Sequence, residues 1–357
     1  MTITPAPIQL PPRPPAPRTA PTLAPGTWLV AAQSGELPSF RPIGRIVDGV
    51  PVVLFRDASG RAVALEDRCP HKNVALSLGR VAGNSIQCRY HGWRFDPAGE
   101  LVDVPCHSPE ERMPRCRVPR YAVVEQDGWI WVRLSPWPGQ PVPPSYPRFA
   151  GYFWFELEYT VRAPVDLILE NGLDCSHTGF AHEGLFRSAP KQFVTARVEE
   201  TPTGVRAETL GEEAQGANDV RGRLGGKHAI QHVDEVILPH TLRVDYRMGD
   251  RAHFITVLVC TPESHMRTRI YNRMGVRYGR ITPLVGWYLR RLTRKVVAQD
   301  VEILESQAAR IRRFGRREFR TVSADLAASW MQRASRLFAD GRSPAEPLRR
   351  RDVVYKL

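Results

Sequence analysis

Two pairs of metal-binding residue types lie in the first third of the chain. Cys69 and His71 form one pair, and Cys88 and His91 form the other. Each pair falls in what reads as a tight loop between short strands, so two loops can bring two thiolates and two imidazoles together. Such a set could hold a tetrahedral zinc ion or a Rieske [2Fe–2S] cluster, in which two cysteines bind one iron and two histidines the other. Zinc fingers usually place both cysteines before both histidines, so the mixed order favours the cluster.

A second set of such residues lies between residues 170 and 186. It comprises Asn171, Asp174, His177 and His182. Asp174 and His177 are three residues apart, so on a helix they share a face, and the carboxylate can accept the His177 ring N–H and orient the other nitrogen toward a metal. Gly179 lets the chain bend so that His182 converges on the same point. Two histidines with one carboxylate form the metal triad of non-haem Fe(II) oxygenases.

The carboxylate of such a triad must come from elsewhere in the chain, and the helical pattern around Asp300 makes it the candidate. Its neighbours three and four residues away are Val296, Val297, Ile303 and Leu304. Asp300 therefore lies on the apolar face of a predicted helix, whereas Glu302 and Glu305 point away from that face. Because a buried carboxylate is costly unless it is paired or bound to a metal, we predict Asp300 as the third ligand.

The elements that must position these residues divide the chain in two. From residue 28 to 134, segments rich in Val, Ile and aromatic residues alternate with Gly, Asp and Pro turns, which predicts a small all-β domain. A Pro-rich linker follows at 135–147. Beyond it, strand-like stretches such as 192–210 and two closing helices at 284–314 and 323–339 predict an α+β fold, with an antiparallel sheet and segregated helices. In the first domain, 46–55 reads as one strand.

Length and composition exclude several classes of protein. A chain of 357 residues is long enough for two domains with their own cores. Its apolar stretches fall far short of the ~18 residues that a membrane-spanning helix needs, and its N-terminus lacks a signal pattern, so we expect a cytoplasmic protein with no membrane span. Six cysteines are too few for a disulfide scaffold at this length. Cys106, Cys116, Cys175 and Cys260 are therefore read as reduced thiols.

The net charge of +13 is concentrated near the end of the chain. Residues 280–357 contain 18 basic and 8 acidic residues. No nucleic-acid-binding motif accompanies them, so we expect no nucleic-acid partner. A solvated helical face explains the pattern, and an acidic protein partner is the alternative.

His228 and His232 are four residues apart, but in a strand-like stretch they are about 13 Å apart and cannot chelate one ion. We interpret both as residues that line a pocket or lie on the surface.

Three runs resemble motifs of the Rieske non-haem iron oxygenases. CPHKNVALSLGRVAGNSIQCRYHGWRFD, residues 69–96, resembles the Rieske motif of that family. ENGLDCSHTGFAHEGLF, residues 170–186, is similar to its N-x-x-D-x-x-H-x₄-H motif, whose first position is Asn171. DVEILESQ, from residue 300, resembles its D-x₄-E-x-Q pattern; the family often has Glu just before this Asp, and here Gln299 stands there.

The resemblance implies an N-terminal Rieske domain at 28–146 and a C-terminal helix-grip catalytic domain at 147–340. A Pro-rich disordered tail, 1–27, and a basic C-terminal tail, 341–357, would flank them. It further implies that Cys69 and Cys88 bind one cluster iron and His71 and His91 the other. His177, His182 and Asp300 would then bind a mononuclear Fe(II).

The resemblance also implies partners and a reaction. A homotrimer would place the cluster of one subunit beside the mononuclear iron of the next, with Asp174 linking His177 to the neighbour's His91. Electrons from NAD(P)H would arrive through a separate ferredoxin or flavin reductase, and with O₂ the enzyme would hydroxylate or oxidatively demethylate an aromatic or other apolar small molecule. Ring cis-dihydroxylation is the alternative reaction. A Rieske-type electron carrier or zinc-stabilised binding module without catalysis is the alternative of another class.

Overall fold

The structure is a computed structural model. It describes residues 23, 26–108, 110, 112–136, 142–183, 185, 192–213, 230–250, 252–342 and 347–357. Most of the predicted Pro-rich segment 1–27 lies outside these ranges, although Leu23 is buried in an apolar cluster with Leu29 and Leu37.

The N-terminal unit consists of two antiparallel sheets. The first has the strand order β1-β10-β9-β4-β3-β2 and comprises β1 Leu29–Gln33, β2 Ile43–Val47, β3 Val50–Arg56, β4 Ala62–Glu66, β9 Arg120–Gln126 and β10 Trp129–Arg133. The second has the order β5-β6-β7-β8 and comprises β5 Arg80–Ala82, β6 Ser85–Gln87, β7 Arg94–Phe95 and β8 Leu101–Asp103. The prediction of an all-β domain is confirmed. The two cysteine–histidine loops lie at the end of the small sheet.

The segment predicted as one strand at 46–55 is instead a hairpin. Asp48 and Gly49 have φ values of +46° and +77°, which is the backbone of a two-residue turn that suits Asp-Gly. Strands β2 and β3 then pair from Val47 with Val50 outward. The apolar content of both arms concealed the turn between them.

The C-terminal unit is built on one eight-stranded antiparallel sheet in the order β11-β17-β16-β15-β14-β13-β12-β18. Its strands are β11 Phe153–Val161, β12 Phe193–Thr201, β13 Gly204–Glu212, β14 Ile230–Ile237, β15 Thr241–Met248, β16 Ala252–Ser264, β17 Arg267–Tyr278 and β18 Arg350–Lys356. The single strand predicted at 192–210 is wrong, because Thr201 pairs with Gly204 across a tight turn and divides it into β12 and β13.

The end of the chain belongs to this sheet, so the interpretation of 341–357 as a basic tail is also wrong. β18 pairs antiparallel with β12 along its whole length. Val353 is buried, while Arg349 lies beside Glu200 and Arg350 beside Glu199. A charged edge strand is the usual protection of a sheet against pairing with another chain, and this explains why the sequence reads as a solvated segment.

Four described helices cover one face of the sheet. They are α1 Val165–Leu173, α2 Thr178–Ala181, α3 Thr282–Phe314 and α4 Leu326–Ala339. The long α3 buries Leu289, Leu304 and Ala308, as expected for an amphipathic helix whose apolar stripe faces a sheet. None of the described helices is both long and apolar enough to cross a bilayer.

An aromatic layer joins the two units. Trp28, Trp129 and Trp131 pack with Val257 and Tyr271 of the large sheet. Hydrogen bonds cross the same layer, because the Tyr271 hydroxyl donates to the Ala31 carbonyl at 2.6 Å and Thr261 Oγ1 donates to the Val30 carbonyl at 2.6 Å. The small domain is thus fixed to the face of the eight-stranded sheet opposite the helices.

His240 also lies in this layer and should make stability depend on pH. Its Nε2 lies 2.8 Å from the Trp28 carbonyl oxygen, and burial lowers the pKa of His240 from 6.5 to about 4. The unfolded chain takes up a proton near pH 6.5 and the folded chain does not, so stability is complete above pH 6.5 and falls as the pH drops toward 4, by about 3 kcal/mol at most.

We expect the melting temperature of the wild type to fall more between pH 7.5 and pH 5 than that of His240→Gln. Glutamine keeps a donor for the Trp28 carbonyl but does not titrate. Thermal denaturation of both proteins at the two pH values measures the difference. Equal falls in both proteins would show that His240 does not contribute to this dependence.

Candidate functional site

Each cysteine–histidine pair lies in a loop closed by its own backbone. The Cys69 N–H donates to the Val74 carbonyl at 2.8 Å, and the Cys88 N–H donates to the Trp93 carbonyl at 2.8 Å. Gly92, with φ +74°, provides the left-handed residue that the second loop needs. The loops hold both cysteines in the core, while both histidines stay partly exposed.

The two histidines lie side by side, and Cys69 lies near Cys88. The rings of His71 and His91 are 4.5 Å apart between centroids, and His71 stacks on Trp93 at 4.5 Å. Neither cysteine forms a disulfide. Burial and the nearby Cys88 thiol raise the pKa of Cys69 to about 11.

This donor set fits a [2Fe–2S] cluster better than a single zinc ion. In the described chain, two sets of residues have ligand atoms that all lie within 4.8 Å of the other ligand atoms of the same set. The two cysteines and two histidines do not form such a set. One tetrahedral ion needs such a compact set, whereas a cluster spans two irons with thiolates at one end and imidazoles at the other.

The second site lies where α1 ends and α2 begins. Asp174 is the residue after α1 and has an extended backbone with ψ 95°. The prediction that Asp174 and His177 share a face of one helix is therefore wrong. The main-chain carbonyl of Asp174, and not its carboxylate, meets His177 Nδ1. The carboxylate Oδ1 accepts hydrogen bonds from the Ser176 N–H at 2.8 Å and the Ser176 hydroxyl at 2.5 Å, and Oδ2 lies 3.9 Å from His177 Nδ1.

His177, His182 and Asp300 converge as one of the two compact ligand sets in the described chain. Asp300 Oδ1 lies 3.5 Å from His177 Nε2 and 3.1 Å from His182 Nε2. Asp300 Oδ1 is buried without a hydrogen bond of good geometry. Burial raises the pKa of Asp300, but the two facing histidines outweigh it and lower the pKa below its usual value. A buried, hydrogen-bond-free carboxylate oxygen facing two imidazole nitrogens fits a divalent metal with open positions, such as Fe(II).

Residues near Asp300 differ from the sequence-based expectation in two ways. Ile303, expected on the buried stripe, is 43% exposed, and Val301 lines the cavity with Val296 and Val297 instead. Gln299 is more than a departure from the motif. Its Oε1 lies 2.9 Å from His182 Nδ1, so it can fix the ring with Nε2 turned toward the metal position.

A cavity of about 230 Å³ opens directly beside this triad. Aliphatic side chains from α1, α3 and the inner face of the sheet form most of its wall, together with Asn171 from the last turn of α1. Polar side chains of the lining include the triad, a group around His232, and single residues such as Thr256, Asn272 and Thr293. A mostly apolar cavity with a few convergent polar groups is the usual form of a small-molecule site.

The group around His232 was not anticipated as a unit from the sequence. His232 lines the cavity, which confirms one of the two roles expected of it, and His228 lies outside the described residues. The Cys175 thiol donates to Asp234 Oδ2 at 2.9 Å, while the two ring nitrogens of His232 lie 3.2 Å from Glu212 Oε2 and 3.0 Å from Asp234 Oδ1. All four residues are buried.

Cys175, His232 and Asp234 form the second compact ligand set, but their geometry does not favour a metal. Cys175 Sγ is 3.9 and 3.8 Å from the two ring nitrogens of His232, so it lies beside the ring and in line with neither lone pair. Both nitrogens already face carboxylate oxygens. The arrangement is therefore a hydrogen-bonded group in the cavity wall.

The remaining cysteines are free thiols, as expected. Cys260 is buried, Cys116 is partly buried and Cys106 is exposed. None of them lines the cavity.

Comparisons with known proteins match both halves of the chain. Residues 27–122 match the family described as Rieske [2Fe-2S] domain, and residues 161–337 match the Vanillate O-demethylase oxygenase C-terminal domain. The chain is 26% identical to Protein TIC 55 of Arabidopsis thaliana over 290 residues, 78% of this chain and 52% of that protein. It is 33% identical to the oxygenase component of dicamba O-demethylase of Stenotrophomonas maltophilia over 175 residues, 45% of this chain and 48% of that protein.

A further relative is a toluene-4-sulfonate monooxygenase iron-sulfur subunit of Comamonas testosteroni. It is 34% identical over 163 residues, 43% of this chain and 45% of that protein. The chain thus spans about half the length of the curated relatives it matches.

Among solved structures, dicamba monooxygenase bound to 3,6-dichlorosalicylic acid superposes with a TM-score of 0.74 at 23% identity, covering 88% of this chain and 97% of that one. NdmA of Pseudomonas putida CBB5 with caffeine superposes with a TM-score of 0.72 at 20% identity, covering 88% and 91%. These likenesses confirm the predicted fold class. The two family matches, which follow one another along the chain, show that it belongs to the Rieske non-haem iron oxygenases.

Proposed function

We propose that this protein is the oxygenase component of a Rieske system that hydroxylates or oxidatively demethylates an aromatic or other apolar small molecule with O₂ and electrons from NAD(P)H. One observation carries the proposal. The same chain holds a cysteine–histidine set suited to a [2Fe–2S] cluster and a histidine–carboxylate set that opens into an apolar cavity. An electron carrier needs only the first of these.

Different residues of the chain would bind the two metal centres and orient their ligands. When bound, the cluster would supply single electrons and the mononuclear iron would supply the O₂ chemistry. The cluster would be held by Cys69, Cys88, His71 and His91. The mononuclear iron would be held by His177, His182 and Asp300. The Asp174 carbonyl and Gln299 orient the two metal-binding imidazoles by their Nδ1 atoms. The aliphatic cavity wall excludes water from the reacting carbon, which limits side reactions.

Asp174 and Asn171 are proposed as functional residues on different grounds. Asp174 Oδ2 has no hydrogen bond among the described residues, and the side chain is 34% exposed, so it is accessible to an outside donor. We assign this oxygen to His91 of a neighbouring subunit in a homotrimer. Asn171 lines the cavity one turn before Asp174 and is proposed to contact the substrate or O₂.

The electron donor is proposed to be a separate ferredoxin or flavin reductase. Exposed arginines on α3, among them Arg290, Arg291 and Arg294, form a basic face that suits an acidic partner. Residues 28–146 are proposed to act as the electron-accepting domain and 147–340, together with β18, as the oxygenating domain.

Monooxygenation is favoured over ring dihydroxylation. Relatives are named dicamba O-demethylase and 4beta-methylsterol monooxygenase, although another is named 3-chlorobenzoate-3,4-dioxygenase. The rival of another class, an electron carrier or zinc-stabilised binding module, does not explain the triad and its cavity.

The purified protein is expected to be red-brown, with visible absorption that bleaches on addition of dithionite. Two thiolates and two imidazoles on a [2Fe–2S] cluster give such charge-transfer bands, and reduction removes much of their intensity. Visible spectroscopy with metal analysis measures both. A colourless protein that contains only zinc would contradict the proposal.

A further inference from the structure

Outside the metal triad, the cavity wall carries the carboxyl groups of Asp174 and Asp234. The lining residues with a carboxyl or imidazole group are Asp174, His177, His182, His232, Asp234 and Asp300, and no Arg or Lys is among the described residues that line the cavity. His177, His182 and Asp300 are assigned to the metal. His232 and Asp234 therefore decide which charge their part of the cavity wall accepts.

His232 cannot act as a receptor for an anion. Its ring nitrogens lie 3.2 Å from Glu212 Oε2 and 3.0 Å from Asp234 Oδ1, so both possible donors face carboxylates. Burial opposes protonation, but the nearby Asp234 and other groups raise the pKa of His232 well above its usual value. The ring therefore has a carboxyl group at each nitrogen and offers neither N–H to an anion.

Asp234, by contrast, still has acceptor capacity. Its Oδ2 accepts from the Cys175 thiol at 2.9 Å, and His232 Nε2 faces both of its oxygens, Oδ1 at 3.0 Å and Oδ2 at 2.9 Å. A carboxylate has about four lone-pair positions, so it can accept a further donor from a molecule in the cavity. Its side chain is only 2% exposed, and a buried carboxylate gains from each added hydrogen bond because water does not compete.

Resting on the proposed function, we infer that the substrate is a compact apolar molecule with a neutral or cationic hydrogen-bond donor, namely an alcohol, a phenol or an amine, and not an aromatic acid. The donor meets Asp234, and the apolar part lies along the aliphatic wall. A substrate carboxylate or sulfonate beside Asp234 would meet a second carboxyl group at short range, and no Arg or Lys of the described lining residues would compensate it. Like charges in a buried site repel one another. The cavity volume of about 230 Å³ suits a substrate of about one ring with its substituents.

The inference is tested by binding rather than turnover, with four probes of matched size: benzylamine, benzyl alcohol, toluene and benzoate. Isothermal titration of the holoenzyme without O₂ gives the dissociation constants. We expect benzylamine and benzyl alcohol to bind at least tenfold more tightly than benzoate and more tightly than toluene.

Asp234→Asn should reduce the preference of benzylamine over benzoate by at least tenfold, since the charge is lost and the shape is kept. Glu235→Gln is the matched control, because Glu235 is the next residue on β14 and lines a basin on the other face of the sheet. It should leave the order of binding unchanged.

Benzoate binding as tightly as benzylamine in the wild type, or equal binding of all four probes, would overturn the inference. That comparison needs no variant, so it holds even where Asp234→Asn fails to fold. A protein that contains an intact, bleachable cluster but prefers benzoate would refute the substrate class and leave the proposed oxygenase function standing. Absence of the cluster would refute the function itself.

Discussion

Asp300→Ala is expected to lower turnover by more than about 100-fold while leaving the visible spectrum of the cluster unchanged. Asp300 Oδ1 faces His182 Nε2 at 3.1 Å and His177 Nε2 at 3.5 Å, and it is the only carboxylate of that compact set. Loss of residues that merely orient a metal ligand already costs about 10- to 100-fold, so loss of a ligand should cost more. The cluster loops belong to the other domain.

Three measurements identify the cause of the loss. Metal analysis should show that Asp300→Ala loses the mononuclear iron and keeps the iron of the cluster. Visible spectroscopy should show unchanged bands, and substrate-dependent O₂ consumption should fall to background. Glu302→Ala is the matched control, since Glu302 is on the same helix and exposed, and it should keep both iron and activity. Substantial activity in Asp300→Ala would disprove the assignment of this ligand.

The cluster site was predictable from the sequence because its geometry is local. Cys69 and His71 belong to one closed loop, and Cys88 and His91 belong to another. Short loops between β strands leave few conformations, so residue spacing carries most of the information. The choice between zinc and a cluster also became clearer in the structure, where the four donors are not compact enough for one ion.

The members of the candidate metal triad could be selected from the sequence, but the groups that orient its histidines could not. Helical periodicity selected Asp300, and the structure brings this residue beside His177 and His182 on a 33-residue helix. The same reasoning failed for Asp174 and His177, because α1 ends at Leu173 and the ligand loop is not helical there. The main-chain carbonyl of Asp174, which any residue would provide, does what the sequence argument expected of the carboxylate.

The group of Cys175, His232, Asp234 and Glu212 could not be predicted, since it depends on the register of three elements. β13 and β14 pair with an irregularity between Thr209 and Glu212, which shifts Glu212 relative to a regular ladder. A one-residue shift moves a side chain to the other face of a sheet. The sequence carried a weak signal, an alternation that places His232 and Asp234 on one face of β14, but nothing in it indicated which residues lie opposite.

Asp174→Asn is expected to lower turnover by about 100-fold while both metal sites remain filled. The His177 contact uses the main-chain carbonyl, which the substitution keeps, and the amide oxygen of asparagine can still accept from the Ser176 N–H, now bound to Oδ1 at 2.8 Å. What changes is the charge and the acceptor at Oδ2. If that oxygen accepts a hydrogen bond from an imidazole of a neighbouring subunit, its replacement by an amide N–H removes the acceptor, and loss of such an orienting carboxylate typically costs 10- to 100-fold.

The decisive measurement separates reduction of the cluster from turnover. In Asp174→Asn the reductase should still bleach the cluster at the wild-type rate, whereas substrate-dependent O₂ consumption should fall. Asp166→Asn is the matched control, because Asp166 lies on α1 and pairs with Arg317 on the exposed side of the helix, so it should retain normal turnover. A near-normal rate in Asp174→Asn would remove the bridging role, and loss of the mononuclear iron would instead make Asp174 a structural support of the ligand loop. A role for the Asp174 charge between the two sites predicts a specific combination of results: both metals are retained, the cluster is reducible and turnover is slow. Neither alternative predicts this combination.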